Sequence, residues 1–125
     1  MKLTPLERCA LDAILDEVVS DRAAVERQLA DAKVISRTNT SGGFFVDLEV
    51  SSTLERVDWQ IGTLGDNLWI AIDGLEYGLG AILHFEQGGA NLLEGYSVGG
   101  EDTSRIDFTA VRFALISNPG PLPAV

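Results

Sequence analysis

Several residue types are scarce in this sequence, and each shortage excludes a class of protein. The single cysteine, Cys9, cannot form an internal disulfide, so a disulfide-stapled fold is excluded for these 125 residues. Cys9 and the single histidine, His84, are too few for the Cys/His ligand sets of transition-metal sites. No apolar run reaches the ~20 residues of a membrane-spanning helix, because Asp73, Glu76 and His84 interrupt the most hydrophobic region. We therefore expect no metal, no cofactor and no membrane insertion.

Basic residues are also scarce, and the resulting negative charge lies mainly in one part of the chain. The net charge is −10, with 9 Lys and Arg against 19 Asp and Glu. Residues 1–41 hold six basic and seven acidic residues, whereas residues 42–125 hold three and twelve, so the second part carries −9. Binding to nucleic acid is not expected, because it depends on clustered Lys and Arg. The acidic part either keeps the protein soluble or meets a basic protein or a cation.

The N-terminus does not follow the pattern of a signal peptide. Pro5 and Glu7 stand where a signal peptide has its apolar core. Together with the low cysteine content, this predicts a cytoplasmic protein.

Two helices are predicted at the N-terminus. Thr4-Pro5-Leu6-Glu7 combines a capping box with proline at the first helical position, and it starts a helix over about 5–19. Ser20-Asp21 offers a second cap, and helical spacing of apolar residues continues to about Lys33. The polar run 37–43, which ends in two glycines, is predicted to be a loop that leads into a sheet.

The rest of the chain has the alternation and turn chemistry of an antiparallel sheet. Strands are predicted over 44–50, 68–72, 79–86, the segment after Gly88-Gly89, and 106–117, with a weaker strand over 56–61 and a turn over 62–67. The fold class is α+β, with an N-terminal helical hairpin packed on one face of an antiparallel sheet of five or six strands. Residues 1–117 form the single domain, and 118–125, which contain three prolines, form an extended tail.

The hairpin around Gly88-Gly89 determines which side chains meet. If these two glycines are the loop residues, Leu83 pairs with Glu94 across the hairpin. Glu94 then lies on an apolar face with Leu83, while His84 lies on the opposite face. A shift of one residue changes this assignment.

His84 and Glu94 are the weak candidates for a catalytic site. His84 is either a general base or a partly buried structural histidine. Glu94 is either a proton-transfer acid with a raised pKa or an anchor that accepts backbone N–H groups or an arginine such as Arg56 or Arg112. No nucleophile motif accompanies them. The sequence therefore assigns no catalytic residue.

Four segments resemble a family of short, uncharacterised bacterial proteins. They are LTPLE at 3–7, GGFFVDLEV at 42–50, IDGLEYGLGAILHF at 72–85 and LEGYSVGGED at 93–102. The resemblance implies a bacterial, cytoplasmic origin and a shared architecture that includes the glycines, Glu94 and Tyr96. It implies no activity or substrate.

We expect a non-enzymatic protein-binding or assembly protein that forms a homo-oligomer. Its acidic part or its second sheet face contacts another protein, as in an immunity-type protein that neutralises a basic toxin. The alternative is a small hydrolase or isomerase that uses Glu94 or His84 in a pocket between helices and sheet.

Overall fold

The computed structural model describes residues 1–59, 62–65 and 67–124. Within them, two helices precede seven strands. The helices are α1 (Pro5–Leu15) and α2 (Arg22–Asp31); the strands are β1 (Lys33–Thr40), β2 (Gly43–Glu49), β3 (Thr63–Leu64), β4 (Trp69–Ile72), β5 (Leu79–Glu86), β6 (Gly89–Ser97) and β7 (Phe113–Ile116). In this part of the chain, no helix has the length and apolar character needed to cross a membrane.

The α+β prediction is confirmed. All strand pairs are antiparallel, the sheet order is β1-β2-β6-β5-β4-β7, and the two-residue β3 pairs with β5. Both helices pack on one face of the sheet, where α1 contacts β5 and α2 contacts β6. The core between them includes Leu11, Ile14, Val25, Leu83 and Leu93, all fully buried. Burial of this apolar face is the main stabilising contribution.

The first helix begins as predicted and ends earlier. Thr4 Oγ1 accepts the N–H of Glu7, and Glu7 Oε1 accepts the N–H of Thr4, which completes the capping box. The helix ends at Leu15 rather than near Val19, and Glu17 and Val18 donate to carbonyls three residues earlier. Two adjacent β-branched valines favour helix poorly, and Val19 is exposed.

The second helix starts without the predicted side-chain cap. Asp21 has a left-handed φ of 59° and no capping hydrogen bond. Its Oδ2 instead accepts the indole N–H of Trp59 at 2.9 Å. A long-range contact has therefore replaced the local one, and α2 runs only from Arg22 to Asp31.

The loop predicted over 37–43 is wrong for most of its length. Residues 33–40 form edge strand β1, which pairs with β2 from Lys33–Glu49 to Thr40–Gly43. A polar edge strand resembles a loop in composition, because only one of its faces contacts the core. Pairing with β2 supplies the backbone hydrogen bonds that decide its structure.

Two strand predictions in the second part of the chain need correction. Residues 56–59 of the predicted weak strand are not in a strand, and 60 and 61 lie outside the described residues; the predicted turn instead contains β3. The predicted strand over 106–117 is reduced to Phe113–Ile116. Asp107 accepts both the N–H and the hydroxyl of Thr109, which closes a turn, and Phe108 packs on Phe44 with ring centroids 4.9 Å apart. These contacts hold 106–111 as a covering loop. Residues 117–124 have no regular secondary structure.

Candidate functional site

The β5–β6 hairpin turns one residue earlier than predicted. Glu86 pairs with Gly89, so the loop residues are Gln87 and Gly88, with φ values of 50° and 78°. Two successive positive φ values are the geometry of a type I′ turn, which matches the twist of the strands. Gly88 cannot be replaced easily, because an added Cβ would come within 2.2 Å of the carbonyl oxygen of Val57.

A bulge reverses the predicted separation of His84 from Glu94, whereas the earlier turn by itself changes their partners and not their faces. The register is irregular between His84 and Phe85, beyond which Ile82 pairs with Glu94 and His84 with Leu92. Directly paired residues point to the same face. His84 and Glu94 therefore share a face, and the prediction that they lie on opposite faces was wrong.

The two side chains are in direct contact. His84 Nε2 lies 2.9 Å from Glu94 Oε1, on a diagonal between neighbouring strands. The two side chains are 32% and 28% exposed, so water reaches both. An ionised carboxylate can only accept, so Nε2 carries the hydrogen in that state of the pair. With the carboxylate ionised, the contact is a charge-assisted hydrogen bond.

Neither arginine suggested as a partner for Glu94 fulfils that role. Arg56 Nη1 donates to the carbonyl groups of Ser51 and Leu54, and Arg112 lies beside Asp73 with a nitrogen–oxygen distance of 3.7 Å. The residues around Glu94 also differ from the predicted set, since Leu83 belongs to the core face. Glu94 is a partly exposed carboxylate that a histidine neighbours, not a buried one.

The pair lies at the centre of the sheet face that the helices do not cover. The core face of β5 contains the buried Leu79, Ala81 and Leu83, and the alternate residues of the strand point to the other side. We call this other side the open face. Three cross-strand rows define it: Thr40–Gly43–Tyr96–Gly80, Thr38–Phe45–Glu94–Ile82 and Ser36–Asp47–Leu92–His84–Thr63.

Aromatic and apolar side chains surround the central pair. Phe45 and Ile82 flank Glu94 on its two neighbouring strands, and all three are half-buried. The Tyr96 ring lies across Gly80, where an added Cβ would come within 2.2 Å of the ring. Tyr96 itself is 36% exposed, so part of its side chain is accessible to solvent. The centre of the open face is thus partly apolar and accessible.

The charges of the open face are mainly negative. Asp47 and Glu94 lie in the rows, and Glu86 continues the alternation of β5 beyond His84. Asp47 Oδ2 accepts the hydroxyl of Ser36 at 2.5 Å, and Glu86 Oε2 accepts the side-chain amide of Asn91 at 3.1 Å. These hydrogen bonds orient the carboxylates and leave their negative charge without a neutralising cation among the contacts described.

Other chemically active side chains have structural roles. Glu101 accepts the backbone N–H groups of Glu76 and Tyr77, which holds the turn before β5. Burial, with a smaller contribution from nearby Asp12, raises the pKa of the Cys9 thiol, which disfavours the reactive thiolate. In the described ranges 1–59, 62–65 and 67–124, no three His, Cys, Asp or Glu side chains are grouped as a metal site.

Sequence reasoning found part of the open face. The alternation in 44–50 already placed Phe45 and Asp47 on one side of a strand. It could not show that both Glu94 and His84 join them, because a bulge decides that. No protein-family model, curated protein or solved structure matches this chain.

Proposed function

We propose that this protein is a non-enzymatic binding protein whose open face receives a basic segment of a partner protein, as an immunity-type protein receives a toxin. The observation that supports it is the composition of that face. Phe45, Ile82 and Tyr96 offer half-buried or exposed apolar surface, and Asp47 and Glu94 place carboxylates among them. Interfaces with this arrangement combine apolar anchors with charges that select the partner.

The electrostatics of the whole chain agree with a basic partner. Residues 42–125, which contain β2 to β7, carry −9 of the net charge of −10. A field of one sign accelerates the encounter with a partner of opposite sign and repels acidic proteins and nucleic acid. We expect the association rate to fall as ionic strength rises, because the Debye length shrinks to about 8 Å at 0.15 M salt.

The central pair contributes to selectivity. His84 occupies one side of Glu94, and a lysine or arginine of the partner takes the accessible oxygen or displaces the ring. Arginine suits this position better than lysine, since its planar fork can bond a carboxylate with two N–H groups. The affinity gained comes from burying the apolar residues around the pair.

A peptide titration tests the proposal. The probe is a ten-residue peptide of alternating arginine and valine, added to isotope-labelled protein in low salt. Backbone amide shifts are expected to change in β2, β5 and β6, and the changes are expected to weaken when Glu86→Gln and Glu94→Gln are combined. Glu26→Gln is the matched control, because Glu26 lies exposed on α2 and its loss changes the net charge equally per site.

The outcomes separate a binding face from a general charge effect. If Glu26→Gln weakens the shifts as much per charge as the sheet variants do, or if the shifts lie on the helices, the open face is not the site. An alternating glutamate–valine peptide of the same length should cause no shifts.

A hydrolase or isomerase is the second candidate, and one observation favours it. The 2.9 Å contact between His84 and Glu94 is the base-and-orienting-group part of many catalytic sites. Both residues, however, lie on the face opposite the helices, not in a helix–sheet pocket. Turnover of a model ester such as p-nitrophenyl acetate that is lost in both His84→Gln and Glu94→Gln would favour the enzyme over the binding protein.

A further inference from the structure

We propose that the outer edge of β7 is a self-association interface, at which a second copy of this chain adds its own β7 in antiparallel orientation and continues the sheet. The self-association is part of the function expected for an assembly protein, but the interface is independent of the basic partner and lies at the far end of the sheet from β1.

The direction of the backbone groups in β7 is the first argument. Asp73 N–H donates to the carbonyl of Arg112 at 3.0 Å, so these two residues form a hydrogen-bonded pair at the end of the β4–β7 ladder. Hydrogen-bonded and non-hydrogen-bonded pairs alternate in an antiparallel ladder. The backbone groups of Ala114 and Ile116 therefore point to β4, and those of Phe113 and Leu115 point outward.

These outward groups belong to a strand with only one neighbour. β7 ends the sheet order and pairs with β4 alone among the described strands. Natural edge strands are usually protected by charge, proline or a bulge. Phe113–Ile116 has none of these within the strand, and its Leu115 is 54% exposed. Within the described residues no other strand uses these outward groups, so a strand can be added at this edge.

The distribution of charge favours a second copy of the chain as the partner at the outer edge of β7. Two copies with a net charge of −10 repel each other over most of their surfaces. Residues 108–125 contain one arginine and no Asp or Glu, so β7 and the segment after it lie in the longest carboxylate-free stretch of the second part of the chain. A copy can approach here with the least repulsion, whereas a basic partner finds no carboxylate in the strand.

Symmetry defines the register. A two-fold axis beside Ala114 pairs Phe113 of one copy with Leu115 of the other, and the reverse, so that all four outward groups of each strand form hydrogen bonds. Leu115 then lies opposite an aromatic ring, and an apolar pocket of about 460 Å³ lies beside the strand, lined by Val111, Arg112, Phe113, Ala114, Leu122 and Pro123. Because only four residues pair, we expect a reversible dimer of micromolar affinity.

The first experiment is sedimentation of the full chain over about 1–500 µM, a range that spans micromolar dissociation constants. A concentration-dependent dimer is expected, and a monomer throughout overturns the inference. Leu115→Pro removes an outward N–H that no described strand of the same chain uses, and it is expected to abolish the dimer. Leu115→Thr keeps that N–H and is the matched control, expected to retain a weakened dimer. Equal dimerisation in Leu115→Pro and in the parent chain overturns the interface.

The second experiment does not depend on how Leu115→Pro folds. In a Cys9→Ala background, Ala114→Cys places two thiols across the axis in a non-hydrogen-bonded pair, where Cα separations suit a disulfide. Ser117→Cys is the control, since its two copies lie roughly 20 Å apart along the strands. Mild oxidation is expected to cross-link the first and not the second. A dimer that cross-links equally in both, or in neither, keeps self-association but rejects this interface. Binding of the arginine–valine peptide to Leu115→Pro reports separately on the open face.

Discussion

The guanidinium of Arg37 in β1 donates two hydrogen bonds to the carboxylate of Glu7 in α1, from Nε to Oε2 at 2.7 Å and from Nη2 to Oε1 at 2.9 Å. The Glu7 side chain is only 5% exposed, and it also accepts the N–H of Thr4. The side-chain hydrogen bond to Glu7 raises the pKa of Arg37. One carboxylate therefore caps the first helix and joins it to the edge strand of the sheet.

Arg37→Met is expected to destabilise the protein by about 3 kcal/mol, because it leaves the buried carboxylate of Glu7 without its cation. Urea denaturation measures the loss as a lower midpoint with an unchanged slope. Arg22→Met is the control. Its ion pair with Asp16 is 45% and 78% exposed, so the expected change is below about 1 kcal/mol. Equal changes in the two variants would show that burial of the pair does not matter.

The buried side chain of Gln28 is a second link between a helix and the rest of the fold, and its replacement is expected to lower the free energy of unfolding. Its side chain, fully buried on α2, donates to the carbonyl groups of Glu55 and Gly88 and accepts the N–H of Ala90, each at 2.9 Å. Gln28→Met keeps the volume and removes the side-chain partner of all three main-chain groups, of which the Gly88 carbonyl still accepts the N–H of Val57. The expected destabilisation is about 3 kcal/mol.

Hydrogen exchange locates this effect. The Ala90 amide is expected to exchange faster in Gln28→Met than global destabilisation alone explains, because its acceptor is gone. Arg27→Met is the matched control on the exposed side of α2, where Arg27 Nη2 lies 3.5 Å from Glu55 Oε1. If the Ala90 amide exchanges in both variants at the rate that global unfolding explains, the Gln28 side chain does not protect that amide.

The two glycines beneath aromatic rings should respond differently to an added methyl group. A Cβ at Gly95 would come within 2.3 Å of the Phe44 ring, which is buried, and a Cβ at Gly80 within 2.2 Å of the Tyr96 ring, which is 36% exposed. Overpacking is costly where the neighbour cannot move. Gly95→Ala is expected to lower the free energy of unfolding by about 2 kcal/mol. Gly80→Ala is expected to lower it by less than about 1 kcal/mol, because Tyr96 can turn into solvent. Thermal unfolding ranks the two, and the reverse order would contradict the packing.

The sequence correctly predicted the features that depend on residues close together in the chain. The capping box at Thr4 and Glu7 and the alternation of β5 depend on neighbours in the chain, and both are confirmed. Arg37 shows the limit, because its segment has the composition of a loop and becomes a strand only when β2 pairs with it. Asp21 shows the same limit, since Trp59 uses the oxygen that was expected to cap α2.

The candidate site was predicted only as its separate residues. His84 and Glu94 were both identified, but their contact depends on the bulge beside His84 and Phe85, which local sequence does not signal. Two glycines are the stronger local signal for a type I′ turn. The chain instead uses Gln87 at a φ of 50°, and Gly89 pairs with Glu86. The bulge, which leaves Asn91 without a paired residue on β5, changed the predicted faces; the earlier turn alone would have kept His84 and Glu94 on opposite faces.

The turn at Asp107 gives a prediction about pH. The Thr109 hydroxyl and then its N–H donate to Asp107, and these hydrogen bonds hold the pKa of that carboxyl below its usual range. A folded-state pKa below the unfolded value stabilises the fold fully above about pH 4, and the contribution is lost as pH falls through the folded-state pKa. The turn is therefore expected to loosen only in acid.

Thr109→Val removes the hydroxyl and keeps the N–H, so it should move the Asp107 titration upward, as carboxyl carbon NMR can measure. Thr53→Val removes a hydroxyl that bonds Ser51, and should leave that titration unchanged. An Asp107 titration that Thr109→Val does not move would mean that the hydroxyl does not hold the carboxylate.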